Sequence, residues 1–189
     1  VNAELYRKIA PYLTIWMDII RNAIRLVPDF PKKGIMFKDI TPLLQDAKIG
    51  EAIICEFVKA FKGSSIDAIA WIESRGFLFG YALALKMGVP FIPIRKSGKL
   101  PWKTVGIDYN LEYGTARIEM HVDAVTPGMR VMIHDDLLAT GGTAVAAAQL
   151  LQTQKAIIAG FSFVVELDFL NGRSRLGDFS NEIVSLVKD

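Results

Sequence analysis

The sequence predicts an α/β fold: an open, mainly parallel sheet with helices on both faces. Three observations predict it. Apolar runs of strand length alternate with stretches of helical period along most of the chain. One such run, Val131 to His134, ends in Asp135 and Asp136 and leads through Thr140-Gly141-Gly142-Thr143 into a helix of small residues. Another ends near Ile72 and passes through Glu73-Ser74-Arg75-Gly76 into a second helix. Polar residues in the turn between a strand and a helix lie at the edge where open α/β sheets bind ligands.

With 189 residues, 51% hydrophobic and 22% charged, the sequence reads as a single domain over 1–189. A net charge of +2 gives no argument for a nucleic-acid partner. No apolar run approaches the ~18 residues of a membrane helix, so no membrane partner is expected. Cys55, the one cysteine, cannot form an internal disulfide and fits a reducing cytoplasm. Set among Ile53, Ile54 and Phe57, it reads as core rather than nucleophile. There is neither a Gly-x-x-x-x-Gly-Lys-Ser/Thr loop nor a Gly-x-Gly-x-x-Gly after a strand, so triphosphate and dinucleotide sites lack their marks.

Taken in order, residues 1–16 read either as an extension upstream of a natural start at Met17 or as an ordinary N-terminal helix interrupted by Pro11. Ile20, Ile24 and Val27 give a helical period that Pro28 stops. Residues 28–44 form a loop dense in proline and glycine whose Ile35, Met36, Phe37 and Ile40 need a surface to pack on, either the core or a planar ligand ring. Asp46 caps a helix with Ile49, Ile53, Phe57 and Phe61 on its buried face. A buried strand follows to Ile72, then a helix with Phe77, Leu78, Tyr81, Ala82 and Leu85 on its packed side. Between them Arg75 is placed either to clamp an anion or to pair with Glu73.

A short strand from Pro90 precedes Arg95, Lys96 and Lys99 around Gly98, a pattern for a polyanion site or for a solvated turn. Residues 98–114 show little apolar periodicity between glycines and read as a mobile lid. Ala116, Ile118, Met120 and Val122 alternate with Thr115, Arg117, Glu119 and His121 as in a half-buried strand. His121 and His134 lack the partners of a metal site or triad and read as structural. Residues 156–167 and 183–187 are the last strands, joined by a polar loop over 171–178 without a signal of its own.

The chemistry concentrates at 131–144. Asp135 and Asp136 can accept hydrogen bonds from sugar hydroxyls. Gly141 and Gly142 let backbone N–H groups approach a phosphate at a helix start, and Thr140 and Thr143 add hydroxyls. Thr-Gly-Gly-Thr alone also fits an ordinary capped helix; two adjacent carboxylates before it favour a sugar phosphate, because unpartnered they repel.

This stretch resembles the phosphoribosyl-pyrophosphate (PRPP) signature of type I phosphoribosyltransferases. Together with Met36-Phe37-Lys38, Arg95-Lys96-Ser97-Gly98-Lys99-Leu100-Pro101 and Leu111-Glu112-Tyr113-Gly114, it is similar to the adenine phosphoribosyltransferases over about 28–170. The resemblance implies a type I phosphoribosyltransferase-like sheet with a small N-terminal hood, the helix and hood lying in 17–44. It implies conversion of adenine and PRPP to AMP and pyrophosphate in purine salvage, by a cytoplasmic homodimer. Mg²⁺ is the implied cofactor, held through PRPP and water with no direct protein ligand. Ala139 and Thr140 to Thr143 would hold the 5′-phosphate, and Asp135 and Asp136 the ribose hydroxyls. Ser74 and Arg75, in a loop that in this family often carries a cis peptide before the serine, would contact pyrophosphate with Lys96 and Lys99. Met36, Phe37 and Lys38 would hold adenine, Glu112 would relay its proton, and Arg95 would reach a neighbouring subunit. Lys38 stands where many relatives have arginine, and Ser97 where some place another basic residue. A transferase for another purine base and a non-catalytic PRPP-sensing regulator are the alternatives.

Overall fold

The computed structural model describes residues 15–110 and 114–189, which divide into two compact units between Cys55 and Glu56. The expectations placed on residues 1–14, on Leu111, Glu112 and Tyr113, and on the start of the chain therefore lie outside the described residues.

In the first unit residues 15–23 are helical (α1), and the chain then turns into strand β1, Arg25–Pro28, paired antiparallel with β2, Met36–Asp39. The helical period expected to run through Val27 stops short. Val27 pairs with Phe37 instead, because main-chain pairing in a hairpin overrides a three-residue period. The expected loop over 28–44 likewise contains β2 and a short helix α2, Thr41–Gln45. Asp39 starts α2 by accepting from the Thr41 N–H at 2.9 Å. Met36, Phe37 and Lys38 thus sit on one strand, with Phe37 edge-on to Phe30 at 5.0 Å. Helix α3, Ala47–Ala60, opens on Asp46, whose carboxylate accepts from the N–H groups of Lys48 and Ile49 at 2.8 and 3.4 Å.

The second unit is organised by a seven-stranded sheet. Its strands are β3 (Ala68–Ile72), β4 (Phe91–Lys96), β5 (Thr104–Asn110), β6 (Thr115–His121), β7 (Arg130–Leu138), β8 (Ile157–Glu166) and β9 (Ile183–Lys188), in spatial order β5-β6-β4-β3-β7-β8-β9. The five strands β4-β3-β7-β8-β9 are parallel, and β5 and β6 add an antiparallel edge beside β4. From β3 the chain steps outward to β4 on one side, and the remaining parallel strands build on the other. The order therefore reverses between β3 and β7, and that reversal opens a crevice at their C-terminal ends.

Strand alternation sorts the two faces. Ala70, Ile72, Ile133, Phe161 and Phe163 form one core with Ala147, Leu150 and Leu151 of helix α5, Gly142–Thr153. The other face presents Trp71, His134 and Ser162, which are in register across β3, β7 and β8. Trp71 lies against Gly80 of helix α4, Phe77–Met87, so closely that a methyl group there would sit 1.3 Å from the indole. Burial holds His134 at about 3 and hence neutral; its Nδ1 shares a 2.6 Å hydrogen bond with the Ser162 hydroxyl.

Two sequence expectations are corrected here. In α4 the buried residues are Phe79, Gly80, Leu83 and Ala84, whereas Leu78, Tyr81 and Leu85 are 50%, 57% and 64% exposed. The helix is apolar almost all round, so its period could not tell which side packs. Residues 104–110 are regular strand: Val105, Ile107 and Tyr109 alternate and pack against the core, a pattern obscured by the flanking glycines. Cys55 is half-buried, and among the described residues no helix is long and apolar enough to cross a membrane.

Candidate active site

At the reversal between β3 and β7 lies a cleft of about 600 Å³. It brings together Ser74, Arg75, Lys96, Asp135, Asp136 and Thr143, six sequence-predicted residues drawn from three separate stretches of the chain. All but Thr143 arrive by a strand end. β3 delivers the 73–76 turn, β4 ends at Lys96, and β7 carries both aspartates before the turn into α5.

The two carboxylates are not equivalent. Asp136 is buried and pairs with Arg75, Oδ2 to Nε at 3.0 Å. Asp135 faces the cleft and accepts from the Asp136 N–H at 2.9 Å. Desolvation, and after it the negative charge of Asp136, hold the Asp135 carboxyl well above the usual carboxylate range. Arg75 thus meets Asp136 rather than Glu73. Glu73 is taken by Arg95, which donates from Nε and Nη2 at 3.2 and 2.9 Å, and by the Lys96 N–H at 3.2 Å. The Arg95 hydrogen bond holds the Glu73 carboxyl below its ordinary value. Within this chain, therefore, Arg95 braces the 73–76 and 95–99 turns against each other. The Glu73–Ser74 peptide is cis.

Lys96 lines the cleft, whereas Lys99, exposed on the same turn, is not among its lining residues. That turn is pinned by Glu119, buried although it belongs to the polar face of β6. Glu119 accepts from the Ser97 hydroxyl at 2.5 Å, the Gly98 N–H at 3.2 Å and Arg117 Nε at 3.2 Å. These partners, the Ser97 hydroxyl foremost, hold its carboxyl below the ordinary glutamate value. Arg117, also on the cleft wall, reaches Asp108 on β5 at 3.1 Å. Sequence reasoning missed Glu119 and Arg117 as parts of the site. The signal lay in the pairing of β5 with β6, which sets Asp108 opposite Arg117 and Gly106 opposite Glu119.

The turn from β7 into α5 holds Ala139, Thr140 and Gly141, with Gly142 and Thr143 in the first turn of the helix. Gly141 is the N-cap with φ +77°, a conformation that suits glycine, and no side chain caps the helix. The first N–H groups of α5 are therefore left without a capping side chain. A second feature lay hidden in the polar loop over 171–178. Gly172 packs on this turn so tightly that a Cβ would lie 2.1 Å from the Ala139 carbonyl oxygen, and Arg175 Nη1 donates to the Thr140 carbonyl at 3.0 Å.

Met36, Phe37 and Lys38 belong to the first unit and Glu112 lies outside the described residues. Among the described residues no group of three or more His, Cys, Asp or Glu side chains could hold a metal ion.

Comparison with known proteins agrees with this architecture. Residues 38–177 match the phosphoribosyl transferase domain. The adenine phosphoribosyltransferase of Cytophaga hutchinsonii is 51% identical over 168 residues, 89% of this chain and 93% of that protein. The crystal structure of the Thermoanaerobacter pseudethanolicus adenine phosphoribosyltransferase superposes with a TM-score of 0.88 at 51% identity, covering 92% of this chain and 99% of that one. The Saccharomyces cerevisiae enzyme, complexed with an imino-altritol bisphosphate and adenine, gives 0.85 at 39% identity over 92% and 99%. With its parallel sheet, its strand-end carboxylates and relatives matched over nearly their whole length, the chain belongs to the adenine phosphoribosyltransferase family of phosphoribosyl transferases.

Proposed function

We propose that this protein transfers the phosphoribosyl group of PRPP to adenine, giving AMP and pyrophosphate. The observation that carries the reading is the convergence of Asp135 and Asp136, the Ser74-Arg75 turn, Lys96 and Thr143 on one cleft at the strand-order reversal. A ligand with a sugar between two anionic ends fits that arrangement. The 5′-phosphate lies on the turn formed by Ala139, Thr140 and Gly141 and on Gly142 and Thr143, at the start of α5. Asp135 and Asp136 hold the ribose hydroxyls, and Ser74, Arg75, Lys96 and Lys99 hold pyrophosphate.

The C1′–oxygen bond to pyrophosphate breaks and the C1′–N9 bond to adenine forms through an oxocarbenium-like state. The proton leaving N9 passes to Glu112, and Arg75 and Lys96 stabilise the charge gathering on pyrophosphate. Mg²⁺ fits this donor set through PRPP oxygens and water: the cleft offers two aspartates, one already engaged by Arg75. It would neutralise part of the pyrophosphate charge. Met36, Phe37 and Lys38 hold adenine, with Lys38 supplying charge but not the planar fork of arginine. The segment over 98–114 serves as the lid that excludes water. A homodimer is supported by the exposed apolar side chains of Leu78, Tyr81 and Leu85 on α4. A cytoplasmic setting is supported by the single free cysteine.

The test is pyrophosphate release with PRPP and Mg²⁺, supplying adenine, hypoxanthine, guanine and xanthine separately. Turnover is expected with adenine alone, with Arg75→Ala lowering kcat about 10²-fold through lost stabilisation of the leaving group, and Glu112→Gln also reduced. Turnover with an oxopurine would overturn the base assignment; PRPP binding without turnover on any base would favour a regulator. Glu119→Ala, which frees the 96–99 turn, should raise KM for pyrophosphate in the reverse reaction severalfold while leaving that for AMP nearly unchanged. Equal effects on both would contradict its pinning role.

A further inference from the structure

We infer that Arg175 is a direct ligand of the substrate's 5′-phosphate, adding a cation to a turn whose other donors are backbone N–H groups and hydroxyls. The inference rests on the reading of residues 139–143 as the 5′-phosphate site.

Three observations carry it. First, Arg175 is fixed at that turn. It closes the short 3-10 helix Gly172–Arg175, and its Nη1 donates to the Thr140 carbonyl at 3.0 Å. One of five guanidinium N–H donors is thereby used and four remain. Second, its charge is not spent on a neighbouring carboxylate. Arg75, Arg95, Arg117 and Arg173 each lie on an Asp or Glu, whereas Arg175 makes no such ion pair among the described residues.

Third, the guanidinium and a hydroxyl lie together at the start of α5, both at ordinary contact distance from a methyl group built on Gly142. A Cβ placed on Gly142 would meet nothing nearer than 3.8 Å beyond its immediate neighbours. The atoms around it are Arg175 Nη1 at 3.8 Å, Thr140 Oγ1 at 3.9 Å and the Asn110 carbonyl oxygen at 4.0 Å. A phosphate over the start of α5 would accept from the helix N–H groups, from the Thr140 hydroxyl and from Arg175 together. Without a ligand, an uncompensated guanidinium beside a helix N-terminus is electrostatically unfavourable, because both are positive. A dianionic phosphate bound there would relieve it and give the guanidinium an anionic partner.

The experiment is calorimetric titration of AMP and of adenosine into the wild-type protein, Arg175→Gln and Arg175→Lys. Wild type should bind AMP more tightly than adenosine. Arg175→Gln, which keeps an amide donor for the Thr140 carbonyl but removes the charge, should weaken AMP about tenfold and leave adenosine unchanged, the loss expected of one charge-assisted contact. Arg175→Lys should recover most of the AMP affinity. Unchanged AMP binding in Arg175→Gln, or equal weakening of AMP and adenosine, would overturn the inference while leaving the turn as the phosphate site. Failure of the wild type to distinguish AMP from adenosine would instead overturn the reading of the turn itself.

Discussion

Replacing Gly172 with alanine should raise KM for PRPP by about tenfold or more and lower stability by about 1–3 kcal/mol, the range for forcing a methyl group into a packed site. The added Cβ would meet the Ala139 carbonyl oxygen at 2.1 Å and the Gly141 nitrogen at 3.0 Å. Both are backbone atoms, so neither can rotate away as a flexible side chain would. The clash is reciprocal: a Cβ on Gly141 would lie 2.8 Å from the Gly172 carbonyl oxygen. The two segments can separate only if the 139–141 turn moves, and that turn sets the direction of the first N–H groups of α5. Gly177→Ala is the matched control. Its nearest neighbour would be the Ser174 carbonyl oxygen at 3.6 Å, ordinary contact. Steady-state kinetics with PRPP varied, beside thermal unfolding of both variants, checks the prediction. An unchanged KM in Gly172→Ala would mean that this turn does not bind the substrate.

The contrast between Gly172 and Asp135 shows what a sequence carries and what it leaves out. Asp135, Asp136 and the Thr-Gly-Gly-Thr turn are contiguous, so one strand and one helix start suffice to place them. Ser74 and Arg75 were legible for the same reason, as polar residues between an apolar run and a helix. Their partners were not. The choice of Asp136 over Glu73 for Arg75 depends on β3 lying beside β7, and the capture of Glu73 by Arg95 depends on β4 lying on the other side. Both facts belong to strand order. Glu119 looked like any outward-facing strand residue until the 96–99 turn folded over it. The outward side of α4 was misjudged because an apolar helix surface that is left exposed has the same composition as one that is buried. Gly172 and Arg175 sit thirty residues or more beyond the turn they support, in a segment with no periodicity. Only the return of the chain from β8 to β9 brings them there.

Arg173→Ala should cost about 3 kcal/mol at neutral pH, near the lower end of the range for breaking a buried ion pair. Glu166 ends β8 and is 2% exposed, and Arg173 grips it from two nitrogens, Nε to Oε1 at 2.9 Å and Nη2 to Oε2 at 2.6 Å. The same guanidinium donates to the Ile183 carbonyl at 2.9 Å and so ties β9 to the segment that carries Gly172 and Arg175. Because the Arg173 side chain is about one-third exposed, water can partly solvate the carboxylate after truncation, which argues against the upper end of that range. The pH dependence separates a lost charge pair from lost packing. Burial pushes the Glu166 carboxyl up, but Arg173, with Ser185 and Lys188, outweighs it and holds the group below its ordinary value. The folded value being the lower one, the pair stabilises the native state fully above the ordinary glutamate value and loses that contribution as pH falls through the lowered one. Without Arg173 the burial contribution dominates and the folded value rises above the unfolded one. The variant then gains stability relative to its neutral-pH value as it is acidified, since protonation relieves the buried charge. Urea unfolding should therefore show a larger gap between wild type and Arg173→Ala at pH 7.5 than at pH 5, and adding Glu166→Gln to the variant should recover part of the loss at pH 7.5 and little at pH 5. A gap of the same size at both pH values would mean that Arg173 stabilises through its packing and its bond to Ile183 rather than through the carboxylate.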